Sequence, residues 1–561
     1  MTGPEREPAL ATRHMVVSGH PLASHAGLEV LEAGGNAIDA GVATALATCV
    51  LQSDRVNLGG VAPQVIWSAD RQVVETIDGV GVWPSAITPD LFARRHGGSF
   101  PHGVEQCVVP GAPDAYLTAL ERYGTISFGD AAAAAIRYAR DGFPVYPLLA
   151  QWLEEEQADY AQWRSNRAVY YPAGRAPRVG EALVQRDLSA TLDEMVQAER
   201  KGAGRGREAG LAAARAAFYE GDIACTIVDH VAREGGLLSM GDLARFRCRV
   251  EEPVRTRFLS GLDLYQCGPW SQGPVLGMAL DILGKAGVKD AVHNSPEYVH
   301  LTVEALKLAF ADRYRYFGDP RTTPIPLREL TSPRYAARRA ALIDPAQASS
   351  ELPPPGELRS ANTSYLCVVD RHGNAFSCTP SDGPHTTPVI DGLGIVCSPR
   401  GQQSDPVPGR PNSIAPGKRP TLTPSPALVM KGGSPRMVFG TPGGNVQPQA
   451  MLQVLLNVYL FGMDVQQAID APRFVTIAVP NEGTRSGFFA RGNANRTGSV
   501  YLEASIGEPV AEALAERGHN VNWWGDHTWV GGGVCAVVVD PKRGLLRGGA
   551  DPRRATCAIG R

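Results

Sequence analysis

A proline-rich stretch in the second half of the chain, residues 350–357 (SELPPPGE), is incompatible with a regular helix or strand. Proline fixes its own φ angle and has no backbone N–H to donate. Two apolar segments follow almost at once, 365–369 (YLCVV) and 375–378 (AFSC), and the turn between them contains Gly373 and Asn374. This spacing predicts a β-hairpin. The chain therefore passes from an irregular segment directly into a core strand, which is unusual within one domain.

The composition excludes several classes of protein. The chain has 561 residues, with 54 Lys and Arg against 57 Asp and Glu, and a net charge of -3. A general nucleic-acid binder usually has a basic excess, so we expect no nucleic-acid partner. No run of about 18 apolar residues exists, so we expect no membrane span. Hydrophobic residues make up 43% of the chain, which is enough for a large buried core.

The N-terminal residues 1–13 (MTGPEREPALATR) are charged and lack the apolar centre of a secretory signal. The ten cysteines are scattered and include no C-x-x-C pair, so neither a disulfide framework nor a zinc site is expected. The histidines have no metal-binding spacing either. These features predict a cytoplasmic protein with reduced thiols, no metal and no cofactor.

Two segments early in the chain have clear helix signals. Residues 23–33 end at a pair of glycines, and Asn36 caps a second apolar segment, 37–51, so two consecutive helices are predicted. Residues 198–210 (AERKGAGRGREAG) are charged and rich in glycine. For this stretch a solvated loop is favoured over a basic binding patch.

A glycine-rich turn, 440–445 (GTPGGN), lies between a predicted strand, 436–439, and a predicted helix, 449–461. Such a turn can direct backbone N–H groups outward at a helix N-terminus, where they hold an anion. The Gly-Lys-Ser/Thr of a phosphate loop is missing, and so is the Gly-x-Ser-x-Gly of a serine nucleophile. Two interpretations of this turn remain: its N–H groups bind an oxyanion, or it is an ordinary turn.

Thr363 stands at the junction between the irregular segment and the first strand of the hairpin. A cut before Thr363 would give this residue a free α-amine, which titrates near pH 7.7–8, about the right range for a general base. That amine could deprotonate the threonine's own hydroxyl, so that one residue supplies both nucleophile and base. The alternative is an ordinary residue at the edge of a strand.

A series of short motifs, taken in order, resembles the γ-glutamyltranspeptidase family of N-terminal-nucleophile hydrolases over nearly the whole chain. Each motif is weak alone, but their common order is specific. They are 20–24 (HPLAS), 34–40 (GGNAIDA), 109–111 (VPG), 235–236 (GG), 242–243 (DL), 304–313 (EALKLAFADR), 362–364 (NTS), 368–374 (VVDRHGN), 416–420 (PGKRP), 442–444 (PGG) and 551–553 (DPR).

The resemblance implies an α+β fold, a four-layer αββα sandwich, and self-cleavage of the bond between Asn362 and Thr363. Residues 1–362 and 363–561 would then be a large and a small segment that together form one αββα unit as a heterodimer, with further oligomers possible. The motifs also suggest Gly443 and Gly444 as oxyanion donors. Ser381 matches the threonine that the family places near the nucleophile's amine.

The sequence departs from the family in the expected substrate pocket. Val80 replaces the arginine that clamps the glutamyl α-carboxylate, and Leu422 and Thr423 replace a pair of serines. The acidic residue that holds the glutamyl amine aligns near Gln403, across a gap, and Gly383 replaces an asparagine. Loss of a buried ionic partner costs about 3–5 kcal/mol, so a γ-glutamyl group is expected to be a poor substrate.

Two arginines could compensate for these losses. Arg400, followed by Gly401, resembles a segment of relatives that hydrolyse oxamate and other small acyl amides, and Arg55 lies in a segment that the family folds near the pocket. Either could bind a carboxylate bidentately, or both could be outward-facing loop residues.

We therefore predict an amidohydrolase for a small amide that carries a carboxylate. A classical γ-glutamyl hydrolase or transferase is the alternative, and an uncleaved, inactive binding scaffold is a second one.

Overall fold

The computed structural model describes residues 6–259, 261–349, 363–478 and 498–561, so Asn362 and the proline-rich segment lie outside the described residues. The strands are β1 Ala9–Ala11, β2 Met15–Ser18, β3 Gln64–Ser68, β4 Val73–Ile77, β5 Phe143–Pro144, β6 Ala182–Leu183, β7 Val250–Glu251, β8 Val254–Phe258, β9 Leu262–Gln266, β10 Leu366–Val369, β11 Ala375–Cys378, β12 Ala427–Lys431, β13 Ser434–Gly440, β14 Phe474–Thr476, β15 Ser499–Glu503, β16 Asn520–Trp524, β17 Cys535–Asp540, β18 Leu545–Ala550 and β19 Cys557–Gly560.

The α-helices of the described residues are α1 Pro21–Glu32, α2 Ala37–Leu51, α3 Leu91–His96, α4 Ala112–Tyr123, α5 Phe128–Asp141, α6 Pro147–Glu155, α7 Gln157–Tyr160, α8 Arg164–Tyr170, α9 Arg186–Gly202, α10 Arg207–Tyr219, α11 Asp222–Arg233, α12 Met240–Arg245, α13 Gly273–Ala286, α14 Pro296–Tyr316, α15 Leu327–Leu330, α16 Pro333–Ala340, α17 Val446–Tyr459, α18 Val465–Asp470 and α19 Glu508–Glu516.

Two seven-stranded antiparallel sheets form the centre of the molecule. The first sheet has the strand order β1-β18-β17-β13-β12-β9-β8, and the second has the order β19-β2-β10-β11-β3-β4-β7. Each sheet therefore contains strands from both sides of residue 363. A further three-stranded sheet, β14-β15-β16, lies outside this pair.

The two large sheets pack face to face through an apolar layer. Fully buried side chains of the first sheet, such as Leu428, Val438 and Val537, belong to the same cluster as Val17 and Cys367 of the second. Helices cover the outer faces, with α2 packed on β10 and β11, and α13 and α17 packed on β8 and β13. These four layers confirm the predicted α+β αββα sandwich.

The predicted pair of N-terminal helices is confirmed as α1 and α2. Asn36 caps α2 by accepting hydrogen bonds from the N–H groups of Ile38 and Asp39, and the Asp39 carboxylate accepts from the Asn36 N–H in return. Every residue of α2 is buried, as its apolar sequence requires. Among the described residues, no helix has both the length and the apolar character needed to cross a membrane.

The prediction of a loop at residues 198–210 is wrong. Helix α9 continues to Gly202, a short 3-10 turn covers Ala203–Arg205, and α10 begins at Arg207. Two of the glycines in this stretch serve close packing: a Cβ on Gly202 would lie 2.7 Å from the Ala213 Cβ of α10, and a Cβ on Gly210 would lie 3.2 Å from Glu199 Cγ of α9. The glycine content, which is typical of a loop, is therefore explained by the tight contact between α9 and α10.

The predicted hairpin is confirmed. Strands β10 and β11 pair with Leu366 opposite Cys378 and Val369 opposite Ala375. Asp370 closes the turn between them by accepting hydrogen bonds from backbone N–H groups of the turn, and Gly373 supplies a positive φ of 81° there. The hairpin occupies the middle of the second sheet, with β2 beside β10 and β3 beside β11.

Candidate active site

Thr363 lies just before β10, directly opposite Ser381, which follows β11. The two residues form an antiparallel bridge that continues the register of the hairpin. Thr363 Oγ1 is 2.8 Å from Ser381 Oγ, and both side chains are buried. The Ser381 N–H donates to the Val61 carbonyl at 3.0 Å, which fixes this pair against the preceding part of the chain. The structure thus brings together the two hydroxyls that the sequence assigned to the nucleophile and its neighbour.

Arg400 is buried and turned inward, which excludes an outward-facing loop position. Its Nη2 donates to Ser381 Oγ, and its Nε donates to an oxygen of Asp382. Asp382 also accepts a hydrogen bond from Ser398 Oγ at 2.6 Å. The guanidinium thus lies at the predicted site and contacts Ser381. Its substrate-binding role stays a prediction.

Gly443 and Gly444 lie in the turn between β13 and α17. Their φ angles of 128° and 57° fall in the region that favours glycine. The Gln272 side chain fixes this turn, because its Nε2 donates to the Gly444 carbonyl at 2.7 Å and to the Thr423 carbonyl at 2.6 Å. Pro442, the preceding residue of the turn, lines the same cavity as Thr363. The geometry places the glycine turn beside the predicted nucleophile, and its oxyanion role stays a prediction.

A small cavity opens beside Thr363 and contains two arginines. Arg55 and Arg554 both line it, together with Tyr365 and Pro442. Arg55 is only 2% exposed, so it too is not an outward-facing loop residue. The sequence reasoning missed Arg554. This residue directly follows the 551–553 motif, so a search for charged residues next to the motifs could have found it.

The whole chain matches known proteins. The model of the gamma-glutamyltranspeptidase family matches residues 23–560. The glutathione hydrolase-like YwrD proenzyme of Bacillus subtilis is 32% identical, covering 98% of this chain and 99% of the relative. The acylase ACY 1 proenzyme of Pseudomonas sp. strain SE83 is 33% identical, covering 97% and 93%. The crystal structure of a cephalosporin acylase from Bacillus halodurans superposes with a TM-score of 0.86 at 31% identity, covering 100% and 98%.

This chain belongs to the gamma-glutamyltranspeptidase family. It is therefore an amide hydrolase or acyltransferase of the N-terminal-nucleophile class, with a threonine nucleophile. Both Bacillus subtilis YwrD and acylase ACY 1 are named proenzymes, which agrees with cleavage of the chain into two subunits.

Val80, at the position of the family's clamping arginine, is fully buried in the apolar layer between the two sheets. Two residues earlier, Asp78 forms an ion pair with Arg419 at 2.8 Å. Burial raises the pKa of Asp78 to about 6, and the charge of Arg419 opposes this shift. Position 80 thus contributes packing here and offers no polar group to a substrate.

The residues that replace the family's serine pair and acidic residue contact one another. Gln403 Nε2 is 3.3 Å from Thr423 Oγ1, and the Thr423 N–H donates to Gln403 Oε1 at 3.2 Å. Leu422 is fully buried, and its N–H donates to the Trp270 carbonyl. The structure therefore brings Gln403 and Thr423 together as predicted. Their contact with a substrate stays a prediction.

Two groups of side chains hold three potential metal ligands close together: His300, Glu304 and His519, which are buried, and Glu156, Asp159 and His385, which are half-buried. The sequence missed both, because their members come from distant segments. In the first group, Lys307 Nζ lies 2.7 Å from Glu304 and already supplies a positive charge. In the second, the two carboxylates raise the pKa of His385, although its burial alone would lower it. The absence of a metal stays a prediction.

Proposed function

We propose that this chain is a self-cleaving amidohydrolase that acts through Thr363 on a small amide carrying a carboxylate. One observation carries the proposal: Thr363 Oγ1 lies 2.8 Å from Ser381 Oγ, beside a cavity that Pro442 and two arginines line. A buried hydroxyl paired with a second hydroxyl, next to a glycine turn and a cationic cavity, fits acyl transfer.

Maturation begins with attack of Thr363 Oγ1 on the carbonyl carbon of Asn362. The C–N bond of that peptide breaks, the Thr363 nitrogen takes a proton, and an ester joins residue 362 to Oγ1. Water hydrolyses the ester, leaving a carboxylate on Asn362 and a free amine on Thr363. That amine is the general base that the uncleaved chain lacks.

Turnover uses the same oxygen. The Thr363 amine takes the proton of Oγ1, and Oγ1 attacks the amide carbonyl of the substrate. The N–H groups of Gly443 and Gly444 stabilise the resulting oxyanion, and each such donor contributes about 10²–10³ in rate. The leaving amine takes the proton, and water then hydrolyses the acyl ester. Ser381 holds Oγ1 in the direction of attack.

The substrate class follows from the altered pocket. Val80 offers no charge to a glutamyl α-carboxylate, and Gln403 offers none to a glutamyl α-amine. The relatives named acylase support an acyl group other than glutamyl. The resemblance of Arg400-Gly401 to a segment of oxamate-hydrolysing relatives supports a place in that branch. The name of the Bacillus subtilis YwrD relative favours the alternative, a classical glutathione hydrolase or γ-glutamyltransferase.

The first experiment measures the intact mass of the purified protein. We expect two chains that end and begin at residues 362 and 363. Thr363→Ala should stay in one piece and be inactive, whereas Thr226→Ala, a change at a partly exposed position of α11, should be cleaved normally. A wild-type protein that remains one uncleaved chain would favour the inactive scaffold.

The second experiment compares substrates on the cleaved enzyme. We expect kcat/KM for a small oxo-acid amide to exceed that for γ-glutamyl-p-nitroanilide by about a hundredfold or more, since the glutamyl pocket lacks its ionic partner. Turnover of the γ-glutamyl compound at equal or higher efficiency would favour the classical alternative.

A further inference from the structure

The Arg55 guanidinium is a buried cation with incomplete partners. Its side chain is 2% exposed, and none of its three nitrogens makes a hydrogen bond among the described residues. Nε lies 3.0 Å from an oxygen of Asp54, but that carboxylate is itself fully buried and accepts no hydrogen bond from the described residues. An ion pair of this geometry leaves most of the hydrogen-bonding capacity of Arg55 unused.

Arg554 brings a second guanidinium to the same cavity. Its Nε donates to the Trp529 carbonyl at 3.2 Å, and its other side-chain nitrogens are not bonded to any carboxylate among the described residues. Burial, together with the neighbouring charge of Arg55, lowers the pKa of Arg554 to about 9. A buried and a half-buried cation that repel each other at one cavity are unfavourable unless an anion joins them.

Aromatic rings fix the positions of both arginines. The Arg55 guanidinium carbon lies 4.6 Å from the ring centre of Trp152 and 5.3 Å from that of Trp529. The Arg554 guanidinium carbon lies 5.5 Å from the same Trp529 ring. The two tryptophans pack edge to face at 5.5 Å. The rings thus hold both guanidinium groups in place, and Arg55 is held without a hydrogen bond that a ligand would have to break.

The neighbouring ion pairs leave Arg554 without a carboxylate partner. Arg473 and Arg553 are bonded to Asp551 and Glu503, and Arg55 has only its contact with Asp54. Among the described residues, no carboxylate lies within ion-pair distance of Arg554, although it lines the cavity.

We propose that Arg55 and Arg554 together bind the free carboxylate of the substrate's acyl group, and that this pair sets the specificity of the enzyme. The inference rests on the proposed amidohydrolase function. Thr363 lines the same cavity, so a carboxylate held there lies a short distance from the carbonyl under attack. The acyl group is therefore a short dicarboxylic or oxo-acid unit. Position 80, where the classical family places its arginine, lies in the core between the sheets.

Binding of free dicarboxylates tests the site without turnover. The cleaved enzyme is titrated with oxalate, malonate and succinate, and malonamide is the neutral control; thermal unfolding and competitive inhibition are measured. We expect at least one dianion to raise the melting temperature and malonamide to have no effect. Arg554→Gln should weaken this binding about tenfold or more, and Arg554→Lys should recover part of it. Arg543→Gln, an exposed change in the turn before β18, should bind as the wild type does.

A second comparison needs no variant, which matters if Arg55→Gln fails to fold around the buried Asp54. Two acyl p-nitroanilides are compared, one ending in a carboxylate and the other in its methyl ester. We expect kcat/KM to fall about tenfold or more for the ester. Equal values, or unchanged dianion binding in Arg554→Gln, would overturn the arginine site even if cleavage at residue 363 and amide hydrolysis are found. An uncleaved, inactive protein would instead refute the proposed function itself.

Discussion

Arg400 acts on the predicted nucleophile through its neighbours. Its guanidinium donates to Ser381 Oγ and to Asp382, and Asp382 has a positive φ of 90°, which is uncommon for a residue other than glycine. The ion pair fixes this turn, and with it the hydroxyl that lies 2.8 Å from Thr363 Oγ1. Arg400 thus holds the Ser381 hydroxyl beside Thr363, whereas Arg55 lines the cavity.

Replacement of Arg400 tests this division of roles. In Arg400→Ala we expect kcat to fall about tenfold or more with little change in KM, because Ser381 loses its donor while the cavity keeps Arg55 and Arg554. The free energy of unfolding should fall by about 3–5 kcal/mol, since Asp382 is left buried without a cation. Steady-state kinetics and urea unfolding measure both effects.

The control for this variant is Arg338→Ala, which removes an exposed ion pair with Glu329. It should leave kcat and KM unchanged and alter the free energy of unfolding by no more than about 1 kcal/mol. If Arg400→Ala raises KM and leaves kcat unchanged, Arg400 binds the substrate directly. If it changes neither kinetic constant, Arg400 is not part of the site.

Helix α1 begins beside the cavity and depends on a histidine cap. His20 Nδ1 accepts a hydrogen bond from the Leu22 N–H at 3.2 Å, so the neutral ring must carry its proton on Nε2. Burial lowers the pKa of His20 to about 4. Gly19, the residue before the cap, lines the cavity with Thr363. The start of α1 is thus coupled to the wall of the candidate active site.

The cap predicts a dependence of stability on pH. His20 takes up a proton below about pH 4 when folded and below about pH 6.5 when unfolded. Its contribution to stability is therefore complete above pH 6.5 and declines as the pH falls toward 4, by at most about 1.4 kcal/mol per pH unit. His20→Asn should keep the cap and flatten this slope. His20→Ala should lose about 1 kcal/mol at pH 7.

Urea unfolding at pH 7 and pH 5 measures both the pH slope of the free energy of unfolding and its loss at pH 7. His25→Asn is the matched control, since His25 lies on the exposed face of the same helix and should leave the pH slope of the wild type unchanged. An unaltered slope in His20→Asn would show that the histidine is not held neutral by the fold.

The two expected segments are interleaved throughout the molecule. Strands β10 and β11 stand between β2 and β3, and β12 and β13 stand between β9 and β17. Arg419 adds a buried ionic contact between the segments: it lies 2.8 Å from Asp78, 2.9 Å from Glu251 and 3.0 Å from Asp319. Because strands from both sides of residue 363 share each sheet, the expected cleavage would cut one bond and leave both sheets intact.

Arg419 should therefore contribute to the stability of the cleaved heterodimer. In Arg419→Met we expect the free energy of unfolding to fall by about 3–5 kcal/mol, because three carboxylates lose their shared cation. Arg543→Met, at an exposed turn, should have no such effect. Urea unfolding measures the loss, and size-exclusion chromatography of the cleaved wild type should give one peak containing both chains. Separate peaks without denaturant would contradict the interleaved arrangement.

Much of the local structure could be predicted from the sequence. The hairpin of β10 and β11, the glycine stop after α1, the Asn36 cap of α2 and the glycine turn at 440–445 are set by short-range signals such as turn residues, caps and periodicity. The loop predicted at 198–210 was wrong, because Gly202 and Gly210 serve close packing between two helices. Composition alone does not distinguish these two uses of glycine.

The ordered motifs were enough to assign the family, and that resemblance implied the αββα layers and Thr363 as the candidate nucleophile, since each motif is formed by neighbouring residues. The charges that meet at the site became known from the folded chain alone. Arg55 and Arg554 come from opposite ends of the chain and share one cavity, whereas Arg400 turns toward Ser381 and Asp382. Sheet order and burial bring together charged residues that are so far apart in sequence, and a local sequence pattern does not contain that information.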